Sequence, residues 1–210
     1  MISIGDYKKN PCKVSSVPYW KARRITVPSA MKIVHGSEFD QKLLDHYFDR
    51  RFFRLIHDLS NIPDFHAAGI QFSVLSSNRY DELAEMINDS YAHSGIRVSA
   101  DDIKSLTKTP VYCPELWIGA FFNEKLIGSI LCDFDREVGE AVIEWLQVLP
   151  EYRCREIASA LICKALKTMS GFSDFATVSG GCDNITNPEK VYRKCGFAGD
   201  DVWHILHEKS

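Results

Sequence analysis

The chain has few of the features that announce a specialised class of protein. No CxxC pair occurs among its seven cysteines, Cys12, Cys113, Cys132, Cys154, Cys163, Cys182 and Cys195. Their odd number and scattered positions leave zinc and disulfide-exchange motifs without support and read as reduced thiols in a cytoplasmic protein. No apolar run approaches the roughly 20 residues of a membrane span, and the opening MISIGDYKKNPCK lacks the apolar centre of a signal peptide. The net charge of −3 argues against a general nucleic-acid binder. Neither a Walker glycine pattern nor a dinucleotide glycine pattern is present. No stretch repeats, and none is of low complexity.

What remains is ordinary globular composition, with 45% hydrophobic and 25% charged residues over 210 positions. That predicts one large domain, or a domain with an extension, around a sizeable core. Within it, the stretch from Val142 to Met169 carries the clearest pattern. Val142, Ile143, Trp145, Leu146 and Val148 form a β-favouring run that Pro150 stops. From Ile157, apolar residues recur at helical spacing through Ile162 and Leu166. Between strand and helix lies Glu151-Tyr-Arg-Cys-Arg-Glu156. A basic turn feeding a helix N-terminus suits a phosphate, because first-turn N–H groups lack helical partners and arginine adds forked donors.

The rest of the chain gives a plainer reading. Residues 1 to about 35 predict an extended arm with β-like pieces at 13–17, 24–27 and 31–34. A helix capped by Ser37 or Asp40 is expected to run to about Leu59, its apolar stripe including Phe48, Phe52, Leu55 and Ile56. Arg50, Arg51 and Arg54 read as its solvated face. Asn61, Pro63 and Gly69 mark a boundary, giving an arm and helix over 1–70 that pack on a main domain over 71–210. After it come a strand at Phe72–Val74, a helix from Asp81 to Tyr91 and a helix capped by Ser99 with Asp102. A hairpin turns at Asn123-Glu124. The helix at 187–194 starts with Pro188 and closes at Gly196. The last strand runs from Val202 to Leu206.

Two stretches resemble a known family. Val148-Leu-Pro-Glu-Tyr-Arg-Cys-Arg-Glu-Ile-Ala-Ser-Ala-Leu161 is similar to motif A of the Gcn5-related N-acetyltransferases, the GNAT superfamily. Val191-Tyr-Arg-Lys-Cys-Gly-Phe197 resembles that family's Leu-Tyr-x-Lys-x-Gly-Phe signature. The resemblance covers roughly 72–206 and implies a mixed α+β GNAT fold: a central, mostly antiparallel sheet flanked by helices, with an N-terminal extension. It implies acetyl transfer from acetyl-CoA to an amine, with no metal.

The same resemblance assigns roles. The donor would lie on Leu146, Val148, Arg153, Cys154, Arg155, Glu156, Ile157, Ala158 and Asn187, with Asn184 the alternative to Asn187. The backbone of Leu146 and Val148 would pair with the pantetheine arm. Tyr192 matches the tyrosine that protonates the departing thiolate, a task suited to a phenol of ordinary pKa ~10. For the base, Glu144 stands out as an ionisable group inside a strand, sharing the face of Leu146 and Val148 by period-two alternation. Asp133 and Asp135 are the alternatives. Tyr91, His93, Tyr112 and Trp117 are expected near the acceptor, a small-molecule or peptide amine, where aromatic rings suit a cation. Each of these rings also fits plain core packing. One position departs from the pattern: Glu156 stands where the family has glycine. A GNAT-fold module that binds CoA without transferring acetyl groups is the alternative function. For the first 70 residues, covering the sheet, shaping the acceptor pocket and forming a homodimer all remain open.

Overall fold

A computed structural model describes residues 2–92 and 95–209. In chain order the elements are α1 (Ile4–Lys9), α2 (Pro11–Val14), α3 (Tyr19–Ala22), β1 (Met31–His35), β2 (Tyr47–His57), β3 (Gln71–Val74), α4 (Tyr80–Ser90), α5 (Ala100–Leu106), β4 (Tyr112–Phe122), β5 (Lys125–Asp135), β6 (Glu140–Val148), α6 (Ile157–Met169), β7 (Phe175–Gly181), α7 (Pro188–Lys194) and β8 (Ala198–Glu208). They fall into two compact units, Met1–Asp58 with Thr177–Ser210, and Leu59–Ala176.

The unit Leu59–Ala176 is a β3-β4-β5-β6 antiparallel meander on which α4 and α6 pack. Its turns are written locally. Asn123 and Glu124 both take left-handed φ, 47° and 65°, the twist a two-residue hairpin demands. Ser99 and Asp102 form the expected capping box on α5, with the Asp102 backbone N–H donating to Ser99 Oγ and the Ser99 N–H donating back to the Asp102 carboxylate. Much of the core is aliphatic. Ile127, Ile130, Leu161, Ile162 and Leu166 are buried completely, at about 1.5–3 kcal/mol for each large side chain removed from water.

In the other unit, β8 pairs antiparallel with both β1 and β2, and β7 lies beside β2. Here the structure corrects three expectations. The helix expected over 40–59 is the strand β2, preceded by short 3-10 turns at Gly36–Glu38 and Gln41–Asp45. Its aromatic and β-branched residues suit a strand, and it is held by pairing with residues about 150 positions away, such as Phe53 opposite Val202. The β-like pieces expected at 13–17 and 24–27 are not strands: α2 at Pro11–Val14 overlaps the first, and the second is irregular chain after α3 at Tyr19–Ala22. Ser3 and Asn10 cap α1 and α2, and Pro11 starts α2. The piece at 31–34 is the strand β1.

The third correction concerns Arg54. Arg50 and Arg51 are exposed, but Arg54 is only 1% exposed. Its guanidinium donates to Tyr7 Oη at 2.9 Å, to Ser179 Oγ at 3.1 Å and to Thr177 Oγ1 at 3.3 Å. These bonds offset the cost of burying the charge and tie α1, β2 and β7 together. Trp203 Nε1 adds a bond to the Cys12 carbonyl at 2.8 Å. The first 58 residues are therefore woven into the C-terminal strands through main-chain pairing and buried polar bonds.

Candidate active site

The donor side builds up from β6. Leu149 N–H donates to the Ile127 carbonyl at 2.9 Å, so those two residues form a hydrogen-bonded pair of the β5–β6 ladder. By antiparallel alternation, Leu146 and Val148, which face Ile130 and Gly128, direct their backbone groups away from β5. Two side chains reach these outward carbonyls. Tyr91 Oη donates to the Leu146 carbonyl at 3.1 Å, and Arg153 Nε to the Val148 carbonyl at 3.1 Å. Arg153 also donates through Nη2 to the Ser90 carbonyl at 3.0 Å. The Arg153 side chain thus straps the end of α4 to the end of β6. Burial pushes the Tyr91 phenol pKa up, and the nearby Arg153 charge opposes that rise.

Glu144 sits in an irregularity that sequence alternation does not foresee. Leu131 pairs with Trp145, but Cys132 pairs with Ile143, so Glu144 is the extra residue of a β-bulge. Strict period-two sharing of a face with Leu146 and Val148 is thereby replaced by three successive half-buried residues, Glu144, Trp145 and Leu146. Trp145 meets Tyr91 edge-on, with ring centroids 5.9 Å apart. The same carboxylate raises the thiol pKa of the fully buried Cys132, after desolvation and Asp133.

Beyond Val148 the chain makes a 3-10 turn at Pro150–Tyr152 and then reverses its backbone twist twice. Cys154 has φ 60°, and Glu156 has φ 61° and ψ 5°. Glu156 therefore adopts the left-handed conformation for which glycine is the default, and its side chain is exposed. Left-handed residues alternating along a turn aim successive N–H groups into one concavity that suits an anion. The turn opens into α6, 13 residues long, and the Glu156 side chain makes no cap hydrogen bond there. Cations gather beside it. Arg155 lies 5.3 Å and Lys125 5.9 Å from the Tyr152 ring centroid, and Lys125 is 3.7 Å from Glu151. Buried Ile157 and Leu161 anchor the helix, and Ala158 is half-buried. Amide donors, a helix N-terminus and flanking cations fit a pyrophosphate, and outward strand carbonyls fit an amide-bearing arm.

The expected acceptor residues are spread along this unit. Trp117 is 2% exposed and packs edge-on against Tyr112 at 5.1 Å, with Tyr80 tilted against it at 5.9 Å. Tyr112 is half-buried; desolvation, then its hydrogen bond to Tyr80, drive its phenol pKa well up. Next to it, Cys113 donates to Glu115 at 3.3 Å and has its thiol pKa pushed up to about 11 by burial. His93 lies outside the described residues.

Asn187 and Tyr192 belong to the other unit. Asn187 is the left-handed N-cap of α7, at φ 47°, and its side chain makes no cap bond. Asn184, the alternative, spends its side-chain oxygen on the Thr186 N–H and hydroxyl. Tyr192, 6% exposed, is confined by the rings of Phe53 and Phe197. The sequence reading found the turn, the strand and α7. It missed the Tyr91 bond to β6, the bulge at Glu144 and the Lys125–Tyr152 cluster, which has no local signature.

A strand bulged at Glu144, a left-handed turn and the helix it opens into make up the candidate site. Comparison with known proteins gives the family. Residues 80–197, more than half of the chain, match the Acetyltransferase (GNAT) family, and the chain belongs to that family. A curated relative, the N-alpha-acetyltransferase MAK3 of Arabidopsis thaliana, is 32% identical over 87 residues, 40% of this chain and 42% of the relative. The match thus spans less than half the length of that relative. Among solved structures, a GCN5-related N-acetyltransferase from Sphaerobacter thermophilus superposes with a TM-score of 0.68 at 18% identity, over 90% of this chain and 63% of that one. Ard1 from Thermoplasma volcanium gives 0.55 at 15%, over 68% and 99%. These likenesses bear out the mixed α+β GNAT fold. Among the described residues, no helix is long and apolar enough to cross a membrane.

Proposed function

We propose that this chain transfers an acetyl group from acetyl-CoA directly to an amine, without a covalent enzyme intermediate. The observation that carries this reading is the left-handed turn at Cys154 and Glu156, set at the start of α6. Backbone amides from Cys154 to Ala158, with Arg155 nearby, would hold the pyrophosphate. The outward backbone of Leu146 and Val148 would receive the pantetheine amides, and Asn187 would add its side-chain amide. Arg153 keeps this edge in place through its bonds to Val148 and Ser90.

The chemistry needs a neutral amine and a protonated leaving group. Glu144, directly or through a water, takes a proton from the incoming ammonium. The freed nitrogen lone pair forms the new C–N bond as the C–S bond breaks, and the nitrogen releases its second surplus proton to water. Tyr192 gives its phenolic proton to the departing sulfur and recovers one from solvent. Tyr91, His93, Tyr112 and Trp117 are the acceptor-side candidates. The relative described as an N-alpha-acetyltransferase supports a peptide α-amine as the first class to try, beside small-molecule amines.

The test is a panel of free-amine peptides and small polyamines incubated with acetyl-CoA, read by CoA release and mass spectrometry. The expected result is acceptor-dependent CoA release, with one acetyl group gained on the reactive class. Binding of acetyl-CoA with no release across the panel would leave a CoA-binding module instead of an enzyme.

A further inference from the structure

Tyr192 is held by two rings of different origin. Phe197 meets it edge-on, with centroids 5.8 Å apart and planes at 70°, and lies within the family-matched segment. Phe53 lies tilted against it at 6.2 Å and 57°, and comes from β2, outside residues 80–197. The space for Phe53 is made on β7. A Cβ built on Gly180 would lie 2.6 Å from the Phe53 Cζ, so glycine there is what admits the ring. Phe197 is backed in turn by His57, the last residue of β2, edge-on at 5.3 Å. A Cβ on Gly196, whose φ is 98°, would lie 2.6 Å from the His57 Nε2. Two glycines thus seat two β2 side chains behind the Tyr192–Phe197 pair.

We infer that Phe53 is a positioning residue for acetyl transfer, fixing the ring of Tyr192 so that its hydroxyl meets the leaving sulfur. The N-terminal strand then belongs to the catalytic apparatus and is more than a cover for the sheet. The inference rests on the reading of Tyr192 as the acid. An aromatic acid moves its proton efficiently only when held within hydrogen-bond reach, and a misplacement of about 1 Å costs on the order of 100-fold in rate. With Phe53 shortened, Tyr192 loses the ring on one side and can tilt into the vacated space.

The test is a cycle of Phe53→Leu and Tyr192→Phe, with the fastest panel amine as acceptor and CoA release as the readout. Phe53→Leu should lower kcat about tenfold, leave the KM for acetyl-CoA within about twofold, and have no further effect in the Tyr192→Phe background. Full turnover in Tyr192→Phe would remove the acid role and this inference with it. If Tyr192→Phe is impaired, unchanged kcat in Phe53→Leu, or the same loss in both backgrounds, would overturn the inference alone. Gly180→Ala, which displaces the Phe53 ring from the β7 side, should repeat the kcat loss and carries the test if Phe53→Leu fails to fold. An acceptor-independent check uses carbon-13-labelled tyrosine, with the Tyr192 ring signals assigned by their loss in Tyr192→Phe. Ring flipping should quicken in Phe53→Leu; unchanged signals would contradict the positioning role.

Discussion

Removing the Arg153 side chain separates two accounts of the turn. In the structure the guanidinium bonds the Val148 carbonyl at 3.1 Å and the Ser90 carbonyl at 3.0 Å, joining β6 to the C-terminal end of α4. Bonds from a charged donor contribute about 1.5–3 kcal/mol each when buried. Arg153 is only half-buried, which lowers that range, so losing both should cost about 2–3 kcal/mol. For a chain of this size each kcal/mol moves Tm by about 2–4 °C, which puts the fall for Arg153→Ala at roughly 5–10 °C. The loss should appear without ligand, in a thermal melt followed by circular dichroism. Arg153→Lys keeps a charge but not the fork that spans two carbonyls, and should recover only part of the loss. Acetyl-CoA affinity should also weaken, because the strand edge and Tyr91 lose a neighbour. An unchanged melt paired with a large loss of acetyl-CoA affinity would refute the strap and make the side chain a direct phosphate ligand.

Two further changes test the backbone and the pH behaviour. Glu156→Gly relieves a left-handed conformation that costs an ordinary residue about 1–2 kcal/mol, against a glycine entropy penalty of about 0.5–1 kcal/mol and the loss of an acidic side chain at a helix start. Stability should therefore change little, while titration calorimetry should find acetyl-CoA bound several-fold more tightly once the negative charge is gone; equal affinity would show that the exposed carboxylate does not reach the phosphates. His57 is 3% exposed, and burial lowers its pKa against the opposing pull of Asp58 and the Cys195 backbone. The unfolded chain then binds the extra proton more readily, so the contribution of neutral His57 is full above the unfolded pKa of about 6.5 and is lost as pH falls below it toward the lowered folded value. Denaturant unfolding between about pH 5 and 7.5 should show wild type losing more stability on acidification than His57→Gln, and parallel curves would contradict this.

Much of the Leu59–Ala176 unit is legible in the sequence because its signals are short-range. The α5 cap needs only Ser99 and Asp102, the hairpin only Asn123 and Glu124, and α6 an apolar stripe after a stop at Pro150. β2 is opaque for the opposite reason. Its apolar residues satisfy a helical stripe as well as a strand, and the choice is made by β8, far along the chain. Arg54 misleads in the same way, since only Tyr7, Thr177 and Ser179 brought to it by the fold make its burial tolerable. Within the site, the sequence finds the turn by its residue types but not its backbone. Cys154 and Glu156 give no local hint of a left-handed φ that glycine would have advertised. The bulge at Glu144 is likewise a property of how β6 pairs with β5, which no window along one strand contains.

The central question is whether the 153–158 turn seats acetyl-CoA. Isothermal titration of acetyl-CoA into the full chain measures this most directly. Saturable one-to-one binding, weakened in Arg153→Ala and strengthened in Glu156→Gly, is the predicted result. An absence of binding heat up to millimolar acetyl-CoA, together with no rise in Tm at the same concentration, would contradict it, because a ligand at about 100 times its Kd adds roughly 2.7 kcal/mol to the folded state.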